Sequence, residues 1–370
     1  WLPESGIARE RVLLYFKHHT HPPGPEIVRQ VEGLGIPWVN LLPKKLELRP
    51  FVTGSIELDL FPTRDYVGRL VKTLQGGLAS LASWRVAGNA LKQWLWVRLT
   101  ELLGDAVLFE SFFAFYDVKL HYSVYEMGRH MVAANLAMDI QGGVDLSHLW
   151  SNLDYTERRL GKPHDVYFTW GPFYKRHFFD RVFFRVRHYV YTGYVYDFCF
   201  EQAREKAKVY RGRLQDHGAR FVISLFDQSL SSGESLWNHA QEDLYRRLLG
   251  EVLARPDFGL IAKPKKASGR EGLIRKFPGL VPLVEKALST GRFLILNGSD
   301  SPSEAAQASD LAVGVGAAST PSLEAALAGV PSVTYNIEGW TAQPFYERGR
   351  GRILFTDLDE MLQAIRSFRL

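Results

Sequence analysis

At 370 residues the chain exceeds the usual size of one hydrophobic core, and two domains of roughly 150 to 200 residues each are expected. Its 46% hydrophobic and 13% aromatic content excludes disorder over most of its length, and a single cysteine, Cys199, excludes an internal disulfide framework and a cysteine-based zinc site. The formal net charge of +5 suits an anionic ligand or a membrane surface, and without a long basic tract or a nucleic-acid-binding motif no nucleic-acid partner is expected.

Arg11 to Phe16 reads as an apolar strand. Pro25 suits a first helical position, Ile27, Val28, Val31 and Leu34 recur at helical spacing, and Gly35 stops the helix before IPWVNLL resumes as a strand, so the chain opens with a βαβ unit. Residues 65–103 read as mostly helical, 106–116 (AVLFESFFAFY) as a buried strand and 120–137 as a helix. LAMDIQGGVDLSHLW then reads as a strand and a glycine turn at Gln141 to Gly143, which places Asp145 and His148 in a loop. HDVYFTWG and HYVYTGYVYD supply two more short strands, and the charged stretch Glu201 to Gln215 is helix-prone. The domain boundary is placed there, giving 1–200 and 201–370.

The second half restarts the alternation. RFVISLFDQS is a strand carrying Asp227, Gln228 and Ser229 at its carboxyl end, followed by a helix over SLWNHAQEDLYRRLLGEVLARP, the strand of FGLIAKPKK, a helix near 280–289, the strand of RFLILNG and a helix near 302–308. Strands alternating with helices in both halves imply two doubly wound α/β domains, in which ligands collect at the carboxyl ends of the strands.

The stretch SDLAVGVGAASTPSLEAALAGVPSVTYN has the most ordered punctuation. After the strand LAVGVG, Thr320 reads as an N-cap, Pro321 as the first helical residue and Gly329 as the stop. The helix start offers backbone N–H groups beside the hydroxyls of Ser319, Thr320 and Ser322, a setting that favours phosphate, although simple capping uses the same hydroxyls. Glu324 falls one residue too late for a capping box, which leaves its carboxylate open to ribose hydroxyls or to solvent. GVGAAS also approximates a dinucleotide fingerprint, with Ser319 in place of its third glycine.

From ILNG through VTYN the sequence resembles the nucleotide-sugar half of GT-B glycosyltransferases and is similar to the non-hydrolysing nucleotide-sugar 2-epimerases: Asp310, Ser319, Thr320, Glu324, Gly329 and Pro331 match in order. The resemblance implies two Rossmann-like doubly wound domains facing a cleft, with Ser319 and Thr320 on the donor phosphate, Glu324 on the ribose, and Asn297 and Gly298 near the base. Within the superfamily the likeness runs to bacterial enzymes of capsule, O-antigen and teichoic-acid-type assembly. Where those carry Lys-x-His-Pro, this chain has Lys263-Pro264-Lys265, keeping the first cation and replacing the histidine.

Other residues complete the candidate site. Lys263 and Lys265 sit where positive charge would neutralise a leaving phosphate, and Gln228, Ser229 and Ser322 join the donor side. Asp227 can cap a turn or act as base or nucleophile, while His19, His21 and Asp145 are candidate bases for an acceptor hydroxyl. His18, His19 and His21 are too close in one loop to make a metal site alone, and Asp357 of the DLD triplet reads as a helix cap. The aromatic and basic stretch 174–198 suits core packing or a membrane-contacting face. The expectation is a metal-independent, cofactor-free transferase moving sugar from a CMP- or UDP-linked donor to a bacterial surface glycan or lipid-linked acceptor, cytoplasmic with peripheral contact at the inner membrane. A nucleotide-sugar 2-epimerase and a non-catalytic glycan-binding module remain open, and since the chain begins at Trp1 rather than Met, flanking segments with anchors or targeting signals are allowed for.

Overall fold

The computed structural model of the chain describes residues 14–16, 38–42, 51–54, 67–69, 71, 75, 89–123, 129–152, 164–177, 180, 186–228, 235–265, 269–297, 300–341 and 344–369. The chain divides into two compact units, Trp1–Trp150 with Thr156–Gly193, and Ser151–Tyr155 with Tyr194–Leu370.

In the first unit, β1 (Leu14–Phe16) and β2 (Trp38–Leu42) pair in parallel and β3 (Phe51–Gly54) joins β2 antiparallel. A four-stranded parallel sheet follows in sequential order: β4 (Leu120–Ser123), β5 (Val144–His148), β6 (His164–Thr169) and β7 (Val186–Tyr191). Helices α1 (Ala90–Phe115) and α2 (Arg129–Gln141) pack together, and α3 (Pro172–His177) lies between β6 and β7 in sequence.

Three sequence expectations are corrected in this unit. Residues 106–115 are not a strand but the end of α1, whose Ala106, Phe109 and Phe113 fall at helical spacing on a buried face against Ala133, Ala134 and Ala137 of α2. A continuous apolar run carries no periodicity to tell buried strand from buried helix, and the small alanines let the two helices approach closely. Within 120–137, residues 120–123 are strand β4 and helix begins only at Arg129, which bonds Asp105 across the helix pair at 2.7 Å. LAMDI is the last part of α2, closed when the Gly142 and Gly143 amides bond the Asp139 and Met138 carbonyls. Gly142 has φ +64°, and a Cβ at Gly143 would lie 2.5 Å from Met138 Sδ, so the glycine pair ends a helix here and does not follow a strand.

In the second unit, α4 (Phe198–Gln215) leads into a six-stranded parallel sheet. Its strands are β8 (Phe221–Phe226), β9 (Phe258–Lys263), β10 (Phe293–Ile295), β11 (Leu311–Val315), β12 (Ser332–Tyr335) and β13 (Leu354–Phe355), in spatial order β10-β9-β8-β11-β12-β13. The connecting helices are α5 (Ser235–Ala254), α6 (Gly269–Lys276), α7 (Val281–Ser289), α8 (Pro302–Gln307), α9 (Thr320–Leu327) and α10 (Pro344–Gly349), with α11 (Leu358–Arg369) last. Strands covered on both faces read as continuous apolar runs: Ile223 and Leu225 pack with Leu248, Leu260 and Val313 in one layer, while Val222, Ile261 and Ala312 face the other. The order is that of a doubly wound sheet whose direction reverses between β8 and β11.

Asp357 caps α11, its Oδ1 accepting the Glu360 N–H at 2.9 Å. Asp357→Ala is expected to cost about 0.5–2 kcal/mol of stability in denaturant unfolding, the range for loss of an N-cap.

Candidate functional site

The reversal point sets the carboxyl ends of β8 and β11 side by side, and the sequence places polar residues at both. At the end of β8, the Asp227 Oδ1 accepts the Lys265 N–H at 2.7 Å, while Tyr245 Oη donates to Oδ2 at 3.4 Å and Lys276 Nζ stands 3.5 Å away. That carboxylate holds the loop after β9 in place. Gln228 ties four groups together: its N–H donates to Gln241 Oε1 at 3.1 Å, its carbonyl accepts from Lys276 Nζ at 2.6 Å, its Nε2 donates to the Val315 carbonyl at 3.1 Å, and its Oε1 accepts from Lys265 Nζ at 3.0 Å.

At the end of β11 the backbone turns through Gly316, with φ +91°. A Cβ there would lie 3.1 Å from Glu338 Oε1 and 3.2 Å from Gln228 Nε2. At Gly314 the constraint is volume rather than dihedral angle. A Cβ would meet Ser322 Oγ at 2.0 Å and Ser319 Oγ at 2.1 Å, so only glycine lets the start of α9 lie against β11. The N-cap is Ser319, not Thr320 as the sequence suggested; its Oγ accepts the Ser322 N–H, and Thr320 is the first helical residue, its Oγ1 accepting the Asn152 N–H at 2.9 Å. The one-residue shift follows from Pro321 fitting either of the first two helical positions.

The amides of this turn can be accounted for one by one. Gly316 donates to the Tyr335 carbonyl, Ala317 to Glu338 Oε2, Ser319 to the Gly316 carbonyl, Ser322 to Ser319 Oγ and Leu323 to the Ser319 carbonyl. Ala318 and Thr320 have no acceptor among the described residues, and their N–H groups lie at the positive end of a helix, the setting that binds phosphate.

Glu324 is 7% exposed, and the partner that local capping denies it comes from elsewhere in the unit: Ser303 Oγ donates at 2.5 Å and Tyr194 also donates. Burial pushes its pKa up, and these two donors offset part of the rise. The Lys263 ammonium, at the end of β9, is buried and gives one bond to the Pro264 carbonyl at 3.0 Å. Burial lowers its pKa, against the opposing pull of Asp300, Asp227 and Glu304. The Asn297 N–H donates to Asp300 Oδ2 at 2.7 Å, and its side chain closes over Gly269, where a Cβ would lie 2.5 Å from Oδ1.

Asp145 and His148 lie in strand β5 and not in a loop. Asp145 is 1% exposed at the amino-terminal end of the sheet, paired with His121 across β4 and bonded to the Nδ1 atoms of His121 and His164 at 2.5 Å each and to Asn135 Nδ2 at 3.1 Å. Burial pushes its pKa up, but the bonds and charges of the two imidazoles hold it below the ordinary carboxylate value. A carboxylate enclosed at the end of the strands opposite to where ligands collect is a packing element of the first unit. His148 bonds Tyr122 Oη through Nδ1 at 2.6 Å, and burial lowers its pKa to about 4. His19, His21, Ser229 and Gly298 lie outside the described residues. No group of three His, Cys, Asp or Glu fit to hold a metal, and no helix long and apolar enough to cross a membrane, occurs among the described residues.

Sequence reasoning missed Tyr194, Ser303 and Glu338. Tyr194 and Ser303 carry no local signal. Glu338, three residues beyond β12, was open to the same rule about strand carboxyl ends that found Gln228.

The sequence matches no protein-family model and no curated protein. Solved structures are similar over nearly the whole chain. They include S. aureus MnaA with UDP (12% identity, 97% of this chain and 88% of that one, TM-score 0.55). The UDP-GlcNAc 2-epimerase of Methanocaldococcus jannaschii (12%, 96% and 92%, 0.54) and the alpha,alpha-trehalose 6-phosphate synthase of Burkholderia multivorans (12%, 96% and 90%, 0.53) are also similar. The fold of this chain is GT-B, an α/β architecture with parallel sheets of four and six strands, as the sequence resemblance implied.

Gly316→Ala forces a side chain into positive φ between Gln228 and Glu338, and a loss of about 1–3 kcal/mol is expected in chemical unfolding. Acid is expected to weaken the protein in two stages. The unfolded chain protonates its histidine before buried His148 does, so the stability held above pH 6.5 is lost progressively towards about 4. Asp145, held low, adds a loss further down, as pH falls through its depressed value. Unfolding midpoints measured across this range should fall, and His148→Gln should flatten the upper stage.

Proposed function

We propose that this GT-B chain transfers a sugar from a nucleotide-linked donor, bound at the carboxyl ends of β8, β9 and β11, to a hydroxyl of a surface glycan or lipid-linked acceptor. The observation that carries the reading is the start of α9. Gly314 lets the helix abut the strand, Gly316 turns the chain at the reversal of the sheet, and the Ala318 and Thr320 amides are left to meet an anion. Glu324 offers its remaining lone pairs to ribose hydroxyls, and Asn297 borders the base. The amides and Lys263 supply positive charge as the phosphate leaves, so the reaction needs no metal and continues in the presence of a chelator.

The likeness to a UDP-GlcNAc 2-epimerase favours one second reading, conversion of the donor itself. The two readings separate on a single comparison: a transferase turns over donor only when an acceptor is present, and an epimerase changes donor alone.

Thermal stabilisation by CMP, UMP, CDP, UDP and NAD, measured without metal, tests the donor site through binding linkage. A pyrimidine nucleotide should raise the melting temperature and NAD should not; no response at millimolar nucleotide would sink the reading. Glu324→Ala should weaken nucleotide binding by about 1–3 kcal/mol, the range for a hydrogen bond to a charged group, and an unchanged Kd would remove Glu324 from the site.

A further inference from the structure

The turn that precedes α9 already holds a carboxyl group of its own. Glu338 sits in the turn after β12, which Asn336 closes by donating from Nδ2 to the Trp340 carbonyl at 2.9 Å and accepting the Trp340 N–H on Oδ1 at 3.3 Å. From that fixed base the Glu338 carboxylate reaches back to the β11 turn. Oε2 accepts the Ala317 N–H at 3.2 Å, and Oε1 lies 3.1 Å from the point a Gly316 Cβ would occupy. Burial pushes its pKa up, the Ala317 amide and its own N–H offset part of the rise, and among the described residues no cation pairs with it. Lys265, which reaches this edge of the sheet, gives its ammonium to the Gln228 amide oxygen instead.

A turn shaped for a diphosphate would present several adjacent amides and a neutralising cation, because two linked phosphates bring charge that must be met over a longer reach. Here one of the three amides that the turn and its cap leave over is spent on a carboxylate, and the two that remain, Ala318 and Thr320, suffice for one phosphate group. A second phosphate beside them would meet the Glu338 charge at close range in a poorly solvated turn, where like charges repel strongly.

Building on the donor reading above, we propose that Glu338 is a specificity-determining residue: it reserves the turn for a sugar linked through a single phosphate, a nucleoside monophosphate sugar, and excludes nucleoside diphosphate sugars. The Gly316 geometry serves this role as well, since a Cβ at that position would lie 3.1 Å from Oε1 and the carboxylate would have to shift by a few tenths of an ångström to admit it.

The test is calorimetric titration of the intact chain with two matched pairs, CMP against CDP and UMP against UDP, for the native protein, Glu338→Gln and Glu338→Asp. The native protein should bind the monophosphate of the favoured base more tightly than its diphosphate by about tenfold, the scale of one unneutralised charge contact. Glu338→Gln should erase that preference by strengthening diphosphate binding, with monophosphate affinity changed by less than about threefold. Glu338→Asp, which keeps the charge and withdraws it by one methylene, should fall between the two, and it decides the matter if the glutamine variant does not fold. Tighter binding of the diphosphate by the native protein, or a preference unchanged in both variants, would overturn the assignment of Glu338 while leaving the donor site standing. Absence of binding by all four nucleotides would overturn the donor site and this assignment with it.

Discussion

The pairing of β8 with β11 is the constraint on which the second unit depends. Residues 227–310, which carry β9 and β10, separate the two strands in sequence, yet they lie side by side from Ile223 and Leu311 to Phe226 and Gly314. Backbone bonds alone do not select this neighbour, since any parallel strand could supply them. Side chains at both ends do. At the amino end Asp310 Oδ2 accepts the Val222 N–H and an Arg211 N–H, each at 2.7 Å. At the carboxyl end Gln228 Nε2 donates to the Val315 carbonyl. Each bond contributes on the order of 1 kcal/mol net, more for the one that also carries charge, but each also sets register, because a slip would leave these groups without partners.

Once β8 and β11 are held together, the rest of the site follows from small volumes. Gly314 admits Ser319 and Ser322 against the strand, Gly316 lets the chain turn between Gln228 and Glu338, and α9 starts where the Ala318 and Thr320 amides find no acceptor among the described residues. The polar groups around this edge are committed to one another. Asp227 is occupied by Lys265 and Tyr245, and Gln241 by Gln228 and Lys276. Among the described residues, what stays uncommitted around this edge is narrow: the Ala318 and Thr320 amides, the buried Nε2 of Gln241, and the lone pairs of Glu324 that Ser303 and Tyr194 leave over. A site with so few open groups discriminates by charge and size, because a ligand that fails to match them leaves buried polar atoms unpaired.

The first unit places its polar residues differently. Asp145, His121, His164 and Asn135 form a buried cluster at the amino ends of β4 to β6, and Asp165, which accepts the Asp145 N–H at 2.9 Å, extends it to Arg187 of β7. These groups join four neighbouring strands and one helix through charge-assisted bonds. Such a cluster specifies strand order, for the same reason that Asp310 does in the second unit.

By itself the sequence determined the alternation of strands and helices over 201–336 apart from α6, the glycine and proline punctuation of 314–331 and the cap at Asp357, since these depend on residues within a few positions of one another; α6, α10 and β13 it did not mark. It also carried a resemblance that points to the GT-B fold. Over 106–141 it misled: AVLFESFFAFY and LAMDI are apolar without a period, and packing of α1 on α2 decided what local pattern could not. Only the tertiary structure decided that Asp145 is enclosed between histidines, that Glu324 is met by Ser303 and Tyr194 from other elements of the unit, and that Glu338 closes on the Ala317 amide. Each of these is a meeting of side chains from different elements, and a linear sequence states which groups exist without stating which of them the folded backbone brings within hydrogen-bonding distance.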